Sequence, residues 1–246
     1  MPVFFITADQ VHNGIVTISG PLLDHLCTSL RIRTGEEITL GDEHRRRYVV
    51  RVLGVDRRRL RGQVLDELAG PPPANPAISV GQALLKGEKM DWVIQKATEL
   101  GMISLTPLIS SRVIVRPNIA RQWSQQERWQ RIALEAAQQS ERWEWPKILI
   151  PCEASDFFKQ RLPSPVNLIL SERGPWRSIT SIPLPSGSNS LIRIAVGPEG
   201  GWRQEELAHA IECGFSPVTL GKRILRAETA TLAALSVLQS RLGELG

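Results

Sequence analysis

The chain of 246 residues contains only three cysteines, four histidines and one tyrosine. Cys27, Cys152 and Cys213 lie far apart and form no CxxC pair, so neither a disulfide framework nor a structural zinc site is indicated. No segment approaches the roughly 18 apolar residues of a membrane span, and the first ten residues lack the basic start and apolar core of a signal peptide. We therefore expect a reduced cytoplasmic protein without a metal or a membrane partner.

Lysine is absent from residues 1–70, which contain ten arginines and nine acidic residues. The arginines are grouped in the segments RIR, EHRRRYVVR and DRRRLRG, each beside a predicted turn. Guanidinium groups bind phosphate through paired hydrogen bonds, so arginine clusters on turns favour a nucleic-acid partner. Solvated turns without any partner are the alternative. The formal net charge of +5 points weakly to an anionic partner as well.

A proline-rich segment divides the chain. Residues 68–78 read LAGPPPANPAI, and four prolines there disfavour regular structure and stiffen the backbone. We therefore predict a domain at 1–70, a linker at 71–78 and a second domain at 79–246. Short β-branched runs before the linker predict a small β-barrel. After it, apolar strands alternate with helical patterns, which predicts an α/β domain with a mostly parallel sheet.

Three helical patterns stand out in the second domain. Apolar residues at helical spacing over 90–100 predict a helix that stops at Gly101. Ser124 and Glu127 have the spacing of a capping box, which predicts the start of a long helix. The last pattern, from Thr229, has an apolar face wider than one sheet face requires, so we expect a second apolar surface, such as another subunit, to cover it.

The segment RIAVGPEGGWRQEEL, residues 193–207, combines a buried strand, a glycine-rich loop and a helix start. The three glycines within 197–201 let a ligand approach backbone amides, although a tight turn alone would also use them. The loop matches neither the GxGxxG nor the P-loop pattern. Glu205 and Glu206 offset the positive end of the helix dipole, which makes phosphate a poor ligand. A cationic nucleoside without phosphate, such as S-adenosylmethionine, suits this loop.

The segment LGKRILRAETA, residues 220–230, repeats the strand–loop–helix arrangement one unit later. Ligands of parallel sheets bind at the carboxyl ends of strands, so these two successive loops can enclose an adenine ring. Ile224 and Leu225 would form its apolar walls. Glu228 and Thr229 either cap the final helix or contact the ligand.

These two segments, together with KGEKMDWVIQKATELG, LTPLISSRVIV and RWQRIALEAAQQSERW upstream, resemble the E-type small-subunit ribosomal RNA methyltransferases. These are uracil-N3 enzymes of the SPOUT superfamily, and the resemblance covers the whole chain. It implies methylation of N3 of a uridine in 16S ribosomal RNA within the small ribosomal subunit. It also implies a PUA-like, RNA-binding β-barrel at 1–70, a SPOUT domain with a deep trefoil knot at 79–246, and a homodimer.

The resemblance assigns S-adenosylmethionine to three strand-end segments. The implied binding residues are Leu170, Ser171, Glu172, Val196, Gly197, Pro198, Glu199, Gly200, Gly201, Leu220, Gly221, Ile224, Leu225, Arg226 and Thr229. The implied RNA contacts are Arg31, Arg33, Lys86, Lys89, Arg112 and Arg142. The family usually has a basic residue just before an aromatic pair near the N-terminus. Val3 takes that position here, which puts one expected RNA contact in doubt.

For the reaction, we predict that N3 of the uridine attacks the methyl group in line, so the protein mainly positions the partners and excludes water. Arg226 and Arg112 are candidates to stabilise the uridine anion, and Glu228 or Glu199 could accept the proton. A ribose 2′-O-methyltransferase of the same superfamily is one alternative, although QKATELG replaces the asparagine-and-arginine block usual in those enzymes. A non-catalytic RNA-binding protein is the other.

Overall fold

The computed structural model describes residues 3–72, 75–114, 122–160, 162, 166–187 and 189–246. The chain divides into two compact units, Met1–Pro72 with Ala137–Trp145 and Pro73–Ala136 with Pro146–Gly246. Residues 73 and 74 of the predicted linker lie outside the described residues. The linker range also ends too late, because a strand begins at Ala77.

Within its described residues, the first unit contains six strands and the α-helix α1. They are β1 (Val3–Phe5), β2 (Val11–His12), β3 (Ile15–Ile18), α1 (Pro21–Thr28), β4 (Glu37–Gly41), β5 (Arg46–Val55) and β6 (Leu60–Ala69). The strand order is β1-β4-β5-β6-β3-β2, with β1 parallel to β4 and the other neighbours antiparallel. Within the described residues β1 and β2 do not pair with each other. The predicted barrel is therefore not closed, and this sheet has two open edges.

Helix α1 was not predicted from the β pattern of this unit. It begins with Pro21 at its first position, where a proline has the right backbone angle and needs no hydrogen-bond partner for its nitrogen. Leu23 and Leu26 are buried on its inner face and join the core of the sheet. A proline at position 21, followed by leucines three residues apart at positions 23 and 26, was the sequence signal that could have identified this helix.

The second unit is an α/β fold, as predicted. Its elements are β7 (Ala77–Ala83), α2 (Lys89–Glu99), β8 (Ser104–Ile109), α3 (Gln122–Gln139), β9 (Lys147–Ile148), β10 (Cys152–Glu153), α4 (Ala154–Lys159), β11 (Val166–Leu170), β12 (Arg177–Ser178), β13 (Leu191–Val196), α5 (Gln204–Glu212), β14 (Ser216–Thr219) and α6 (Ala227–Leu242). The strand order is β10-β8-β7-β13-β11-β14-β12, with β9 beside β8, and every pair is parallel. The last residues of α3 belong to the first unit.

Both faces of this sheet are covered, which explains its continuous apolar strands. Successive strand residues point to opposite faces. Leu168 and Ile194 pack in the cluster that contains residues of α2, α3 and α6, whereas Ile169 and Ala195 pack with residues of α4 and α5. The carboxyl ends of the strands therefore emerge between two helical layers.

Helix boundaries correct two predictions. Helix α3 already includes Gln122, so Ser124 lies inside the helix and is not its N-cap. Helix α6 begins at Ala227 with Arg226 as its N-cap, so Thr229 does not cap it. The predicted stop of α2 is confirmed, because Gly101 has a positive φ of 83° just beyond the helix. None of the helices in the described ranges is long and apolar enough to cross a membrane.

Candidate functional site

The carboxyl ends of three neighbouring strands, β13, β11 and β14, border a cavity of about 250 Å³. The two loops singled out in the sequence follow β13 and β14. These strands are separated by β11 in the sheet, so the segment after β11 lies between the two loops. This strand order therefore brings together three segments that are distant in the chain.

Most of the residues predicted to bind S-adenosylmethionine line this cavity. They are Leu170, Ser171, Glu172, Val196, Gly197, Pro198, Glu199, Gly201, Leu220, Ile224, Leu225 and Arg226. Gly200, Gly221 and Thr229 were also predicted but do not line it. The cavity is also lined by six residues that were not predicted from the sequence, namely Trp202, Val218, Thr219, Arg223, Ala227 and Ala230.

Gly201 is required by the turn that closes the glycine loop, which we define as residues 197–201. Its φ is +68°, a conformation that residues with a β-carbon rarely adopt, and its amide donates to the Pro198 carbonyl at 2.8 Å. A β-carbon at this position would lie 2.9 Å from Oε1 of Glu172. The loop therefore packs directly against the segment after β11.

Trp202 fixes the same loop from its other end. Its indole Nε1 donates to the carbonyl of Leu170 at 3.1 Å, which joins the loop to the last residue of β11. A β-carbon on Gly197 would lie 3.1 Å from this nitrogen, so the indole occupies the space next to the glycine backbone. An aromatic residue directly after a glycine-rich loop was the available sequence signal for this role.

A side chain of the first turn of α5 caps the start of this helix. Glu206 accepts a hydrogen bond from the Arg203 amide at 2.9 Å and another from the Ser111 amide at 2.8 Å. This carboxylate therefore neutralises the positive end of the helix, as predicted, and also attaches the loop after β8. A phosphate group would meet negative charge at this helix start.

The loop after β14, residues 220–226, forms the apolar side of the cavity. Ile224 is 73% exposed although it is a large aliphatic residue, and Leu225 beside it is half-buried. Arg226 lines the cavity with an exposed side chain, and it makes no side-chain cap hydrogen bond to α6. An exposed aliphatic side chain next to a cavity is suited to cover a flat apolar ligand.

Lys89 lies among carboxylates, although it was predicted to contact RNA. Its Nζ donates to Oε1 of Glu199 at 3.0 Å and lies 3.5 Å from Oε1 of Glu228. The hydrogen bond to Glu199 is the main reason why the pKa of Lys89 is raised. Glu228 is buried, and its second oxygen, Oε2, has no hydrogen-bond partner within the described structure.

Glu199 is held in its ionised form. Burial raises its pKa, but its own backbone amide, the Lys89 ammonium and the backbone of Lys86 together lower it below the usual value. Arg112 supports the glycine loop from another side, because its Nη1 donates to the Gly200 carbonyl at 2.8 Å. Arg112 thus contacts the loop backbone, and the side chain of Lys86 remains exposed.

Known proteins are similar to this chain in sequence and in fold. A family described as the RNA methyltransferase domain matches residues 72–239. The ribosomal RNA small subunit methyltransferase E of Synechocystis sp. is 32% identical over 96% of this chain and 77% of its own. This chain belongs to the ribosomal RNA small subunit methyltransferase E family.

Solved structures from similar proteins extend this result. The methyltransferase E of Neisseria gonorrhoeae, bound to S-adenosylmethionine, has a TM-score of 0.87 and 34% identity, with 98% of each chain covered. A Legionella pneumophila methyltransferase, in complex with the same cofactor, has a TM-score of 0.88 and 28% identity, with 97% of each chain covered. The likeness therefore includes both units of this chain.

Several arginines of the first unit bind other residues of the same unit. The Arg47 guanidinium lies 3.9 Å from the ring centre of Trp143 and donates to the Glu141 carbonyl, and Arg45 pairs with Glu144 at 3.0 Å. These contacts attach the segment after α3 to the start of β5. Two of the arginines in the RRR run therefore have a structural role.

The predicted RNA contacts of this unit differ in exposure. Arg31 and Arg33 are exposed in the loop after α1. Arg142 is half-buried, and its burial lowers its pKa, with Glu144 opposing this effect and Arg45 adding to it. Within the described parts of the chain, no cluster of three His, Cys, Asp or Glu residues could hold a metal ion.

Proposed function

We propose that this chain transfers the methyl group of S-adenosylmethionine to N3 of a uridine in 16S ribosomal RNA, within the assembled small ribosomal subunit. The observation that carries the proposal is the cavity between three strand ends, with apolar walls and a neutralised helix start. A nucleoside without phosphate fits these properties better than a nucleotide does. The family membership and the two similar structures that contain the cofactor support the same assignment.

The residues present fit the donor. Ile224 and Leu225 offer an apolar surface for the adenine ring, and the glycine loop lines the same cavity. The carboxylate of Glu172 adds negative charge for a cationic sulfonium. When bound, the donor supplies a methyl group that its sulfonium activates.

The chain's own residues must then handle the N3 proton. N3 forms its bond to the methyl carbon as the carbon–sulfur bond breaks, and the N3 proton passes to a carboxylate, Glu228 or Glu199. A guanidinium beside a ring carbonyl stabilises the uridine anion. Arg226 is the better placed of the two predicted arginines, because it is exposed at the cavity, whereas Arg112 already donates to the glycine loop.

We assign RNA binding to the first unit as a PUA-like module, through exposed arginines such as Arg31 and Arg33, with Lys86 as a contact in the second unit. We further propose the trefoil knot at the cavity loops and a homodimer that uses α6. Leu232 and Val237 on this helix are half-buried against the core of the second unit. A second subunit would complete their burial.

Two measurements test the function. Calorimetry with S-adenosylmethionine should give one binding site per chain. Mass spectrometry of nucleosides from small-subunit RNA treated with protein and donor should reveal N3-methyluridine, and untreated subunits are the control. Absence of binding would favour a non-catalytic RNA-binding protein. A methyl group on ribose would favour the 2′-O-methyltransferase alternative.

A further inference from the structure

One lysine connects two loops of the cavity that are far apart in sequence. Lys89 is the first residue of α2, and its ammonium contacts Glu199 at 3.0 Å and Glu228 at 3.5 Å. Glu199 belongs to the glycine loop and itself lines the cavity. Glu228 is the second residue of α6, directly after the loop that forms the apolar wall.

We propose that Lys89 is a positioning residue, whose ammonium ties the glycine loop to the first turn of α6 and holds the two walls of the cavity at the spacing that the methyl donor requires. This inference rests on the proposed function, because it assumes that the cavity binds S-adenosylmethionine. It gives Lys89 a role different from the RNA contact expected from the family resemblance.

The burial of the groups around Lys89 indicates that this lysine does more than keep the surface soluble. The lysine side chain is 36% exposed, whereas that of Glu228 is only 12% exposed. Removing the ammonium would leave a buried carboxylate without a counter-charge, which is costly unless the carboxylate moves towards solvent. This movement would shift the first turn of α6 relative to the glycine loop.

The expected consequence is a weaker donor site. If the aligned loops become a minor conformation, the apparent Kd rises by the inverse of their population. We expect Lys89→Met to raise the Kd and the KM for S-adenosylmethionine by roughly tenfold, with the KM for RNA nearly unchanged. Turnover does not distinguish the outcomes, because Glu199 and Glu228, the candidate proton acceptors, both contact Lys89. A lysine that contacts RNA would instead change the KM for RNA.

The chain offers a closely matched control. Lys96 lies on the same helix, is 37% exposed and pairs with Glu99 at 2.8 Å within one turn. Lys96→Met therefore removes the same side chain and an ion pair without touching the cavity loops. Lys89→Arg keeps the charge and should restore the KM for the donor to within a few-fold of the wild-type value.

Calorimetry and steady-state kinetics on small ribosomal subunits decide between the outcomes. Donor binding by the wild type, with a selective rise in donor KM for Lys89→Met but not for Lys96→Met, supports the inference. Equal donor KM values for these two variants, or a rise only in the KM for RNA, overturn it. Failure of the wild type to bind the donor would instead overturn the proposed function.

A control for folding completes the test. Circular dichroism and thermal unfolding should show that Lys89→Met is folded, because a role limited to stability would lower the active fraction and leave the donor KM unchanged. If that variant does not fold, Lys89→Gln takes its place, since glutamine keeps a donor group without the charge. The same donor KM comparison with Lys96→Met then supports or overturns the inference.

Discussion

The replacement of Ile224 by alanine tests whether the apolar wall covers the donor. Ile224 lines the cavity and is 73% exposed, so most of its burial has to come from a bound ligand. The substitution removes three carbons, each worth about 0.8 kcal/mol when fully buried. A flat ring covers only one side of them, so we expect a loss of about 1 kcal/mol. This corresponds to a roughly fivefold higher Kd for S-adenosylmethionine.

Isothermal titration calorimetry measures this change directly. Ile211→Ala is the control, because Ile211 on α5 is 43% exposed and does not line the cavity. Neither variant should shift the thermal unfolding temperature much, since both side chains lie at the surface. An unchanged Kd for Ile224→Ala, with normal binding by the control, would refute the claim that this loop packs on the donor.

Three other predictions concern single side chains. Arg226→Ala should lower kcat on ribosomal subunits about a hundredfold, and Arg177→Ala should not; near-normal turnover would remove Arg226 from the mechanism. Burial and the hydrogen bond to Asp42 raise the pKa of Tyr48 to about 12. The unfolded chain loses this proton near pH 10, so urea unfolding should show stability falling by up to about 3 kcal/mol towards pH 12. A Tyr48→Phe variant whose stability falls as steeply over the same pH range would contradict this. Burial, with nearby carboxylates, also raises the pKa of Cys152 to about 11, so its alkylation by iodoacetamide should keep accelerating above pH 9, and an earlier plateau would disprove the shift.

Local patterns explain why much of the α/β fold was predictable. Apolar spacing over 90–100 and the stop at Gly101 depend on neighbours within a few residues, and the structure has this helix. The cavity loops were also found from sequence, because strand ends of parallel sheets share one edge. Their pairing around β11 was not, since strand order depends on crossovers that no local pattern records.

The long-range contacts of cationic side chains were the least predictable part of the structure. Arg47 is separated by more than ninety residues from the Glu141 carbonyl that it binds, and its segment reads like any phosphate-binding arginine run. Lys89 is separated by a similar distance from Glu199, and it was assigned to RNA from the family resemblance. Charge in the sequence indicates that a partner is needed, but only the fold decides whether the partner is RNA or a carboxylate of the same chain.

This distinction changes how the cavity is understood. The family resemblance assigned Lys89 and Arg112 to RNA, yet Lys89 contacts two carboxylates and Arg112 donates to the backbone of the glycine loop. Both cations act on the loops that border the donor. Arg226 lines the cavity with an exposed side chain, and it is the residue that we assign to the uridine base. Variants of Lys89 and Arg112 should therefore affect donor binding, whereas a variant of Arg226 should affect turnover. Steady-state kinetics in which the donor and the RNA are varied in turn can measure this separation.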